Sequence, residues 1–181
     1  MKVTKDEILN MADHLIRECG YNNFSYTDIS VPLQIKNASI HYHFPSKSDL
    51  GVEVIKRSLD KFIAETAGWR ALTHRQQLMK IVETYAQKKR LHCVCLVGAL
   101  SPVYDTLSPA MQQELKNMVT LLLEKLVEVL TKGKEGGEFD FPESPKTKAY
   151  MIQSSLIASL LLDRVLQNEA FRTIQQEILS I

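Results

Sequence analysis

Between Ser25 and Leu50 the chain reads SYTDISVPLQIKNASIHYHFPSKSDL, and this stretch leaves little choice of fold. Ser25 stands three residues ahead of Asp28, the spacing at which a hydroxyl cap and an acidic side chain close the first turn of a helix. Ile29 and Leu33, four apart, give that helix one apolar edge. Ile35, Ile40 and Phe44 are the next apolar anchors, which leaves Lys36, Asn37, Ser39, His41 and Tyr42 facing elsewhere. Ser46 and Asp49 repeat the cap pair and open a longer helix. Helices of two turns are marginal alone, so two in succession must be held by packing. That layout is a helix-turn-helix.

The flanking sequence supplies the support. Thr4 with Glu7 forms a capping box, and Ile8, Met11, Ala12, Leu15, Ile16 and Cys19 follow at helical spacing up to Gly20. This predicts a first helix over 5–19, with Cys19 as part of its core stripe. A fourth helix starts near 47 and carries Leu50, Ile55, Leu59, Phe62 and Ile63 into the sixties. Trp69 and Leu72 fall in a connection, and Thr73 caps a fifth helix that ends in Lys88-Lys89-Arg90, a solvated end suited to the helix dipole. The segment 93–107, CVCLVGALSPVYDTL, is apolar nearly all round and predicts a central helix that Pro102 bends or ends. Ser108-Pro109 and Ser144-Pro145 are further helix starts. The seventh helix should stop at Gly133, and KGKEGGEFDFPE should be a mobile loop. No strand pattern or internal repeat stands out. The expected fold is all-α with about nine helices: a three-helix head over 1–47, then a larger helical portion over 48–181 with the fourth helix as linker.

Charge places a limit on the reading. Residues 1–60 carry seven Lys/Arg and eight Asp/Glu, so composition alone would not suggest a nucleic-acid partner. Between Asp28 and Asp49, however, no carboxylate occurs, while Lys36, Lys47 and two histidines do. A phosphate surface requires local positive potential rather than a basic chain. With 45% hydrophobic and 24% charged residues the composition is ordinary globular. MKVTKDEIL has no signal-type apolar core and no run of about 18 apolar residues exists, so a cytoplasmic location without a membrane partner is expected. Three cysteines, an odd number, argue against a disulfide framework.

HYHFPSK at 41–47 followed by Asp49-Leu50, with Gly20-Tyr21, Ser25-x-x-Asp28-Ile29 and Ser39-Ile40 upstream, resembles the head of the TetR/AcrR family of bacterial repressors. The resemblance covers roughly the first 55 residues; the rest matches in length and helical pattern. It departs at Pro32, at Gln34 where the family usually has Gly, at Lys36 where it has Ser, and at His41 where it has Tyr. Gln34 bears on the turn, because Gly commonly supplies positive φ there. Lys36 removes a hydroxyl cap, so Asn37 either caps the third helix or reads a base.

In a helix-turn-helix the second helix enters the major groove and its early residues meet base edges. Lys36, Asn37 and Ala38 fit guanine O6/N7, adenine N6/N7 and the thymine methyl respectively. Ser25, Thr27, Tyr42 and Lys47 fit phosphates through hydroxyls, backbone N–H groups and charge. The resemblance supports Ser39, Tyr42 and Lys47 as backbone contacts, and His41 can reach the backbone through an imidazole N–H. It implies a ligand-responsive regulator, a repressor in the usual case, that binds a palindromic operator as a homodimer and is released when a small molecule binds the C-terminal portion.

Candidate lining residues for that effector are Phe62, Trp69, Tyr85, Cys93, Cys95, Leu96, Tyr104, Met118, Leu122, Met151 and Ser155. The C-terminal helices carry small residues among large aliphatics, LIASLLL at 156–162 above all, and predict a dimer interface at Leu156, Ser159, Leu160, Asp163, Phe171, Ile174 and Ile178. His92-Cys93-Val94-Cys95 offers an alternative, a thiol that senses electrophiles or oxidants from a helix start, or more remotely a thiol-dependent enzyme. No Gly-rich phosphate loop, paired-carboxylate motif or HExxH is present, so catalysis is not expected. His41 and His43, two apart on a helix, point to different faces and do not suit chelation. No metal or cofactor is expected.

Overall fold

The computed structural model describes residues 4–167 and 169–181. Nine α-helices occur among the described residues, and no strand does: α1 Lys5–Cys19, α2 Tyr26–Ser30, α3 Asn37–His43, α4 Lys47–Ala67, α5 His74–Arg90, α6 Leu96–Leu100, α7 Pro109–Glu135, α8 Pro145–Leu166 and α9 Ala170–Leu179. Short 3-10 turns lie at Tyr21–Asn23, Gly68–Ala71 and Ser101–Thr106. The helix starts reflect the local chemistry. Thr4 with Glu7 and Thr73 with Gln76 form complete capping boxes, and the Ser144 hydroxyl accepts from Thr147 N–H.

The chain divides into two compact units. The first holds Met1–Phe62 and Leu96–Met118. Its centre is Ile8, Ala12, Ile16, Ile29, Ile40, Phe44, Leu50 and Ile55, all essentially excluded from water. Residues 96–118 are tied into it through Asn22 Nδ2, which donates to Thr106 Oγ1 at 3.2 Å, and through the Ser48 and Ser108 hydroxyls, 2.5 Å apart. Met111 is wholly buried over Gly51, where a Cβ would come within 2.7 Å of its sulfur.

The second unit holds Ile63–Cys95 and Val119–Ile181, and here α8 packs against α9 and α5. Gln153, buried on α8, donates to the Tyr85 hydroxyl at 2.8 Å, a pairing that a polar group in such a core requires. Asp163 accepts from Phe171 N–H at 3.0 Å and pairs with Lys89 at 2.9 Å, joining α8 to α9 and α5.

Four expectations are corrected. Residues 93–107 do not form one helix. His92 turns left-handed at φ 53, Cys93 N–H closes onto Lys88 O, α6 has five residues, and Pro102 turns residues 101–106 into a 3-10 turn. Cys19 is exposed, with its thiol donating to Leu15 O at 3.0 Å, because the last turn of α1 rotates it out of the core. Helix α7 continues past Gly133 to Glu135.

The Gly-rich loop, finally, is anchored: Phe139 and Phe141 are buried, and the Glu138 carboxylate accepts from His74 N–H, Arg75 N–H and His74 Nδ1. Glu138 thereby caps the start of α5, and the Arg75 N–H followed by the His74 ring lowers its carboxyl from 4.5 to about 2. Gly133 makes room for this, since a Cβ there would fall on the edge of the Phe139 ring.

Helix α8 is long and apolar enough to cross a membrane by length and composition, although the sequence has no unbroken apolar run; 33% of its most apolar window is buried. Its covered side holds Ala149, Ile152, Gln153, Leu156, Ser159 and Leu160, and its open side Tyr150, Met151, Leu161, Leu162, Val165 and Leu166.

Candidate nucleic-acid interface

The head is assembled around α3. Ile40 faces inward with no exposure, and Phe44 ends the helix in the core. The Tyr26 hydroxyl donates to Phe44 O at 2.9 Å, bolting α2 to the end of α3. Burial, with the Asp49 charge second, pushes the Tyr26 phenol up to about 12, so it remains a donor at any working pH. Gln34 adopts φ 54, the left-handed conformation that glycine would supply without strain, so the turn is kept despite the substitution.

With Ile40 fixed inward, Lys36, Asn37, Ala38, Ser39, His41 and Tyr42 are all exposed on α3 and its start, and Tyr42 retains 85% of its accessible surface. These six form a polar rod on the surface. Lys36 is the N-cap residue and makes no side-chain cap bond; Asn37 is the first helical residue and does not cap. Its Nδ2 instead donates to Thr27 Oγ1 at 3.4 Å, which ties the exposed amide to α2 and leaves it further donor and acceptor capacity. His41 Nδ1 lies 3.2 Å from Pro45 O, so that nitrogen carries the proton, and the imidazole is held edge-on to Tyr26. His43 is half-buried between Tyr42 and Phe44.

Two of the nine candidates are committed inside the head. Ser25 is exposed, yet its N–H and hydroxyl both donate to Asp28, at 2.7 and 2.9 Å, and these bonds lower the Asp28 pKa. Lys47 is half-buried rather than solvated: its ammonium donates to Phe24 O and sits over the rings of Phe24 and Tyr21, 4.2 and 4.9 Å from their centroids. Desolvation lowers its pKa, with the nearby Cys19 and Asp28 opposing. Nothing in the sequence flagged this cage, because the cation and both rings lie on separate local motifs.

The candidate effector residues fall in both units. Phe62, Leu96, Tyr104 and Met118 belong to the first; Trp69, Tyr85, Cys93, Cys95, Leu122, Met151 and Ser155 belong to the second. Trp69, Tyr85, Leu96, Met118, Cys93 and Cys95 are buried, while Phe62, Leu122 and Ser155 are half-buried. Tyr104 and Met151 are exposed, which corrects their expected inward placement: Tyr104 rides the 3-10 turn and Met151 the open side of α8. Cys93 and Cys95 lie before α6 and not in its first turn, and both are buried. Gln153 was not anticipated, since one amide in an apolar run carries no sequence signal.

The interface residues expected on the last two helices are also displaced. Leu156, Ser159, Leu160, Phe171 and Ile178 are buried within the protomer, Asp163 is engaged by Lys89 and Phe171, and Ile174 is half-buried. The core takes the side of α8 that the pattern assigned to a partner. Among the described residues no group of three or more His, Cys, Asp or Glu is disposed to hold a metal ion.

Residues 8–54 match the family model for bacterial regulatory proteins of the tetR family. The chain is 33% identical to a TetR transcriptional regulator from Legionella pneumophila, with 98% of this chain and 96% of that one covered and a TM-score of 0.85. A TetR-family transcriptional regulator from Agrobacterium tumefaciens is 28% identical over 97% of this chain and 95% of that one, with a TM-score of 0.89. Over 56 residues the chain is 38% identical to the biofilm operon icaADBC HTH-type negative transcriptional regulator IcaR of Staphylococcus aureus; the match spans 31% of this chain and 30% of that protein's length. Full-length similarity above 30%, the head motif and the all-helical fold agree: the chain belongs to the TetR family of DNA-binding transcriptional regulators.

Proposed function

We propose that this regulator is a repressor that binds a palindromic operator as a homodimer and leaves it when a small molecule binds within residues 48–181. The observation that carries the reading is the exposed rod of α3, polar outward and pinned inward by Ile40 and Phe44. An element of that width enters the major groove, with Lys36, Asn37 and Ala38 at base edges and Ser39, His41 and Tyr42 at the sugar–phosphate backbone. Thr27 supports Asn37 from α2. Repression is favoured by the description of the staphylococcal relative as a negative regulator.

A homodimer is supported by the open side of α8, where Tyr150, Met151, Leu161, Leu162, Val165 and Leu166 surround the small Ser154 and Ala158. A second copy covers this stripe as a helix pair. The buried Gln153–Tyr85 bond and the Asp163–Lys89 pair on the same helix suit a water-soluble bundle in the cytoplasm better than lipid. Two heads must then sit about 34–36 Å apart, one helical turn of DNA, to meet both half-sites. A ligand preferring another setting of α4 lowers operator affinity by the factor that operator lowers ligand affinity.

Sequencing the genomic fragments that the protein retains tests this. The fragments should share an inverted repeat, Tyr42→Ala should weaken binding to all of them, and Lys36→Ala should relax one base position by about 1–3 kcal/mol. Fragments without a common repeat, or retention indifferent to both substitutions, would refute the reading.

A further inference from the structure

Lys47 opens α4 beside the DNA-reading elements, and a cation there has an obvious role as a phosphate contact. The geometry points elsewhere. The ammonium donates to the carbonyl of Phe24 and is walled by the rings of Phe24 and Tyr21, both buried. Phe24 immediately precedes Ser25, the N-cap of α2, and α2 carries Thr27, which orients Asn37 at the start of α3. Moving the ammonium to a phosphate would break a charge-assisted hydrogen bond and two cation–π contacts at once, and would orphan a carbonyl.

We infer that Lys47 is a positioning residue for DNA reading: it clamps the Phe24 carbonyl and so fixes the entry of α2, and through Thr27 the Asn37 amide, without neutralising a phosphate. The inference rests on α3 as the groove-entering element. A clamp and a phosphate contact differ in one measurable respect. A lysine on a phosphate releases counterions and contributes about 0.9 to the log–log dependence of affinity on salt. A clamp contributes nothing comparable to that slope, because it neutralises no phosphate and so releases no condensed counterion.

The test compares the wild-type protein, Lys47→Met and Lys36→Met on a duplex enriched from a random library by the wild type. For Lys47→Met the expected results are affinity weaker by roughly fivefold or more, the loss of one well-placed base contact, and a salt slope equal to that of the wild type. In the free protein, amide exchange at Ser25, Tyr26 and Thr27 should accelerate. Lys36→Met serves as the reference for an exposed cation. A slope smaller by about 0.9 per head would show that Lys47 swings out to a phosphate, and this overturns the inference. Unchanged affinity with faster exchange would make Lys47 merely structural, which also overturns it, as would unchanged exchange. Where Lys47→Met fails to fold, Phe24→Leu removes one wall of the cage, leaves the charge, and should reproduce the affinity loss at constant slope. Failure of the wild type to enrich any duplex would count against the function proposed above and leaves the exchange measurement to decide the clamp.

Discussion

Replacing Gly133 by Ala should destabilise the protein, and the sign of the effect should reverse when Phe139 is removed. In an ordinary helix interior this substitution gains about 1 kcal/mol, because Ala is the better helix former. Gly133 lies within α7 with φ outside the left-handed region, so the backbone accepts Ala. Space does not. A Cβ at Gly133 would land on the edge of the Phe139 ring and 3.1 Å from His74 Cβ. Phe139 is 4% exposed, and its ring has to leave or force α7 aside. Losing the burial of such a side chain costs about 1.5–3 kcal/mol and overpacking costs a similar amount. Net of the helix gain, Gly133→Ala should cost about 0.5–2 kcal/mol, roughly 1–8 °C in a chain of this size. In a Phe139→Ala background the clash is gone and only the His74 contact remains, so the same substitution should be neutral or stabilising by up to about 1 kcal/mol. Urea unfolding of the four proteins, followed by circular dichroism at one fixed concentration, completes a double-mutant cycle with a coupling of about 1.5–3 kcal/mol. An equal cost of Gly133→Ala in both backgrounds would refute the steric argument.

Three further expectations concern the turn, the loop and α8. Gln34→Gly relieves a left-handed Gln at φ 54 and should stabilise the protein by about 0.5–1 kcal/mol in denaturant titrations, the strain removed exceeding the chain entropy that Gly adds. The Glu138 carboxyl is depressed to about 2, so its contribution to stability is complete above its unfolded value near 4.5 and disappears as pH falls from there to about 2; Glu138→Gln should therefore be less stable than wild type at pH 6 by a margin that shrinks steadily across that window. Leu162→Glu with Val165→Glu, at positions 48% and 79% exposed in the protomer, should leave the helical signal intact while light scattering reports a monomer and operator affinity collapses; a dimer that persists would move the interface away from α8.

What the sequence disclosed was local. Thr4 with Glu7, Thr73 with Gln76 and Ser144 before Pro145 each carry a helix start within four residues, and each starts its helix where expected. The head motif likewise reads from side chains close in sequence. What remained hidden depends on distant partners. Glu138 caps α5 from 64 residues away, so a Gly- and charge-rich stretch that resembles a mobile loop is fastened by that carboxylate and by the buried Phe139 and Phe141. The open and covered sides of α8 are equally apolar, and periodicity cannot tell which side meets its own chain. Lys47 shows the same limit within the head: its family position suggested a phosphate contact, while the rings that hold it lie at 21 and 24, outside its own motif.

With the ammonium of Lys47 turned inward and Asp28 and Asp49 held at helix starts, Lys36 is the exposed lysine between those two carboxylates. Steered encounters reach about 10⁸–10⁹ M⁻¹s⁻¹, whereas unassisted ones proceed at about 10⁵–10⁶. A head whose charges nearly cancel, seven Lys/Arg against eight Asp/Glu in residues 1–60, exerts little pull at a distance. Arrival at the site is then governed by copy number, and fidelity by how long each visit lasts.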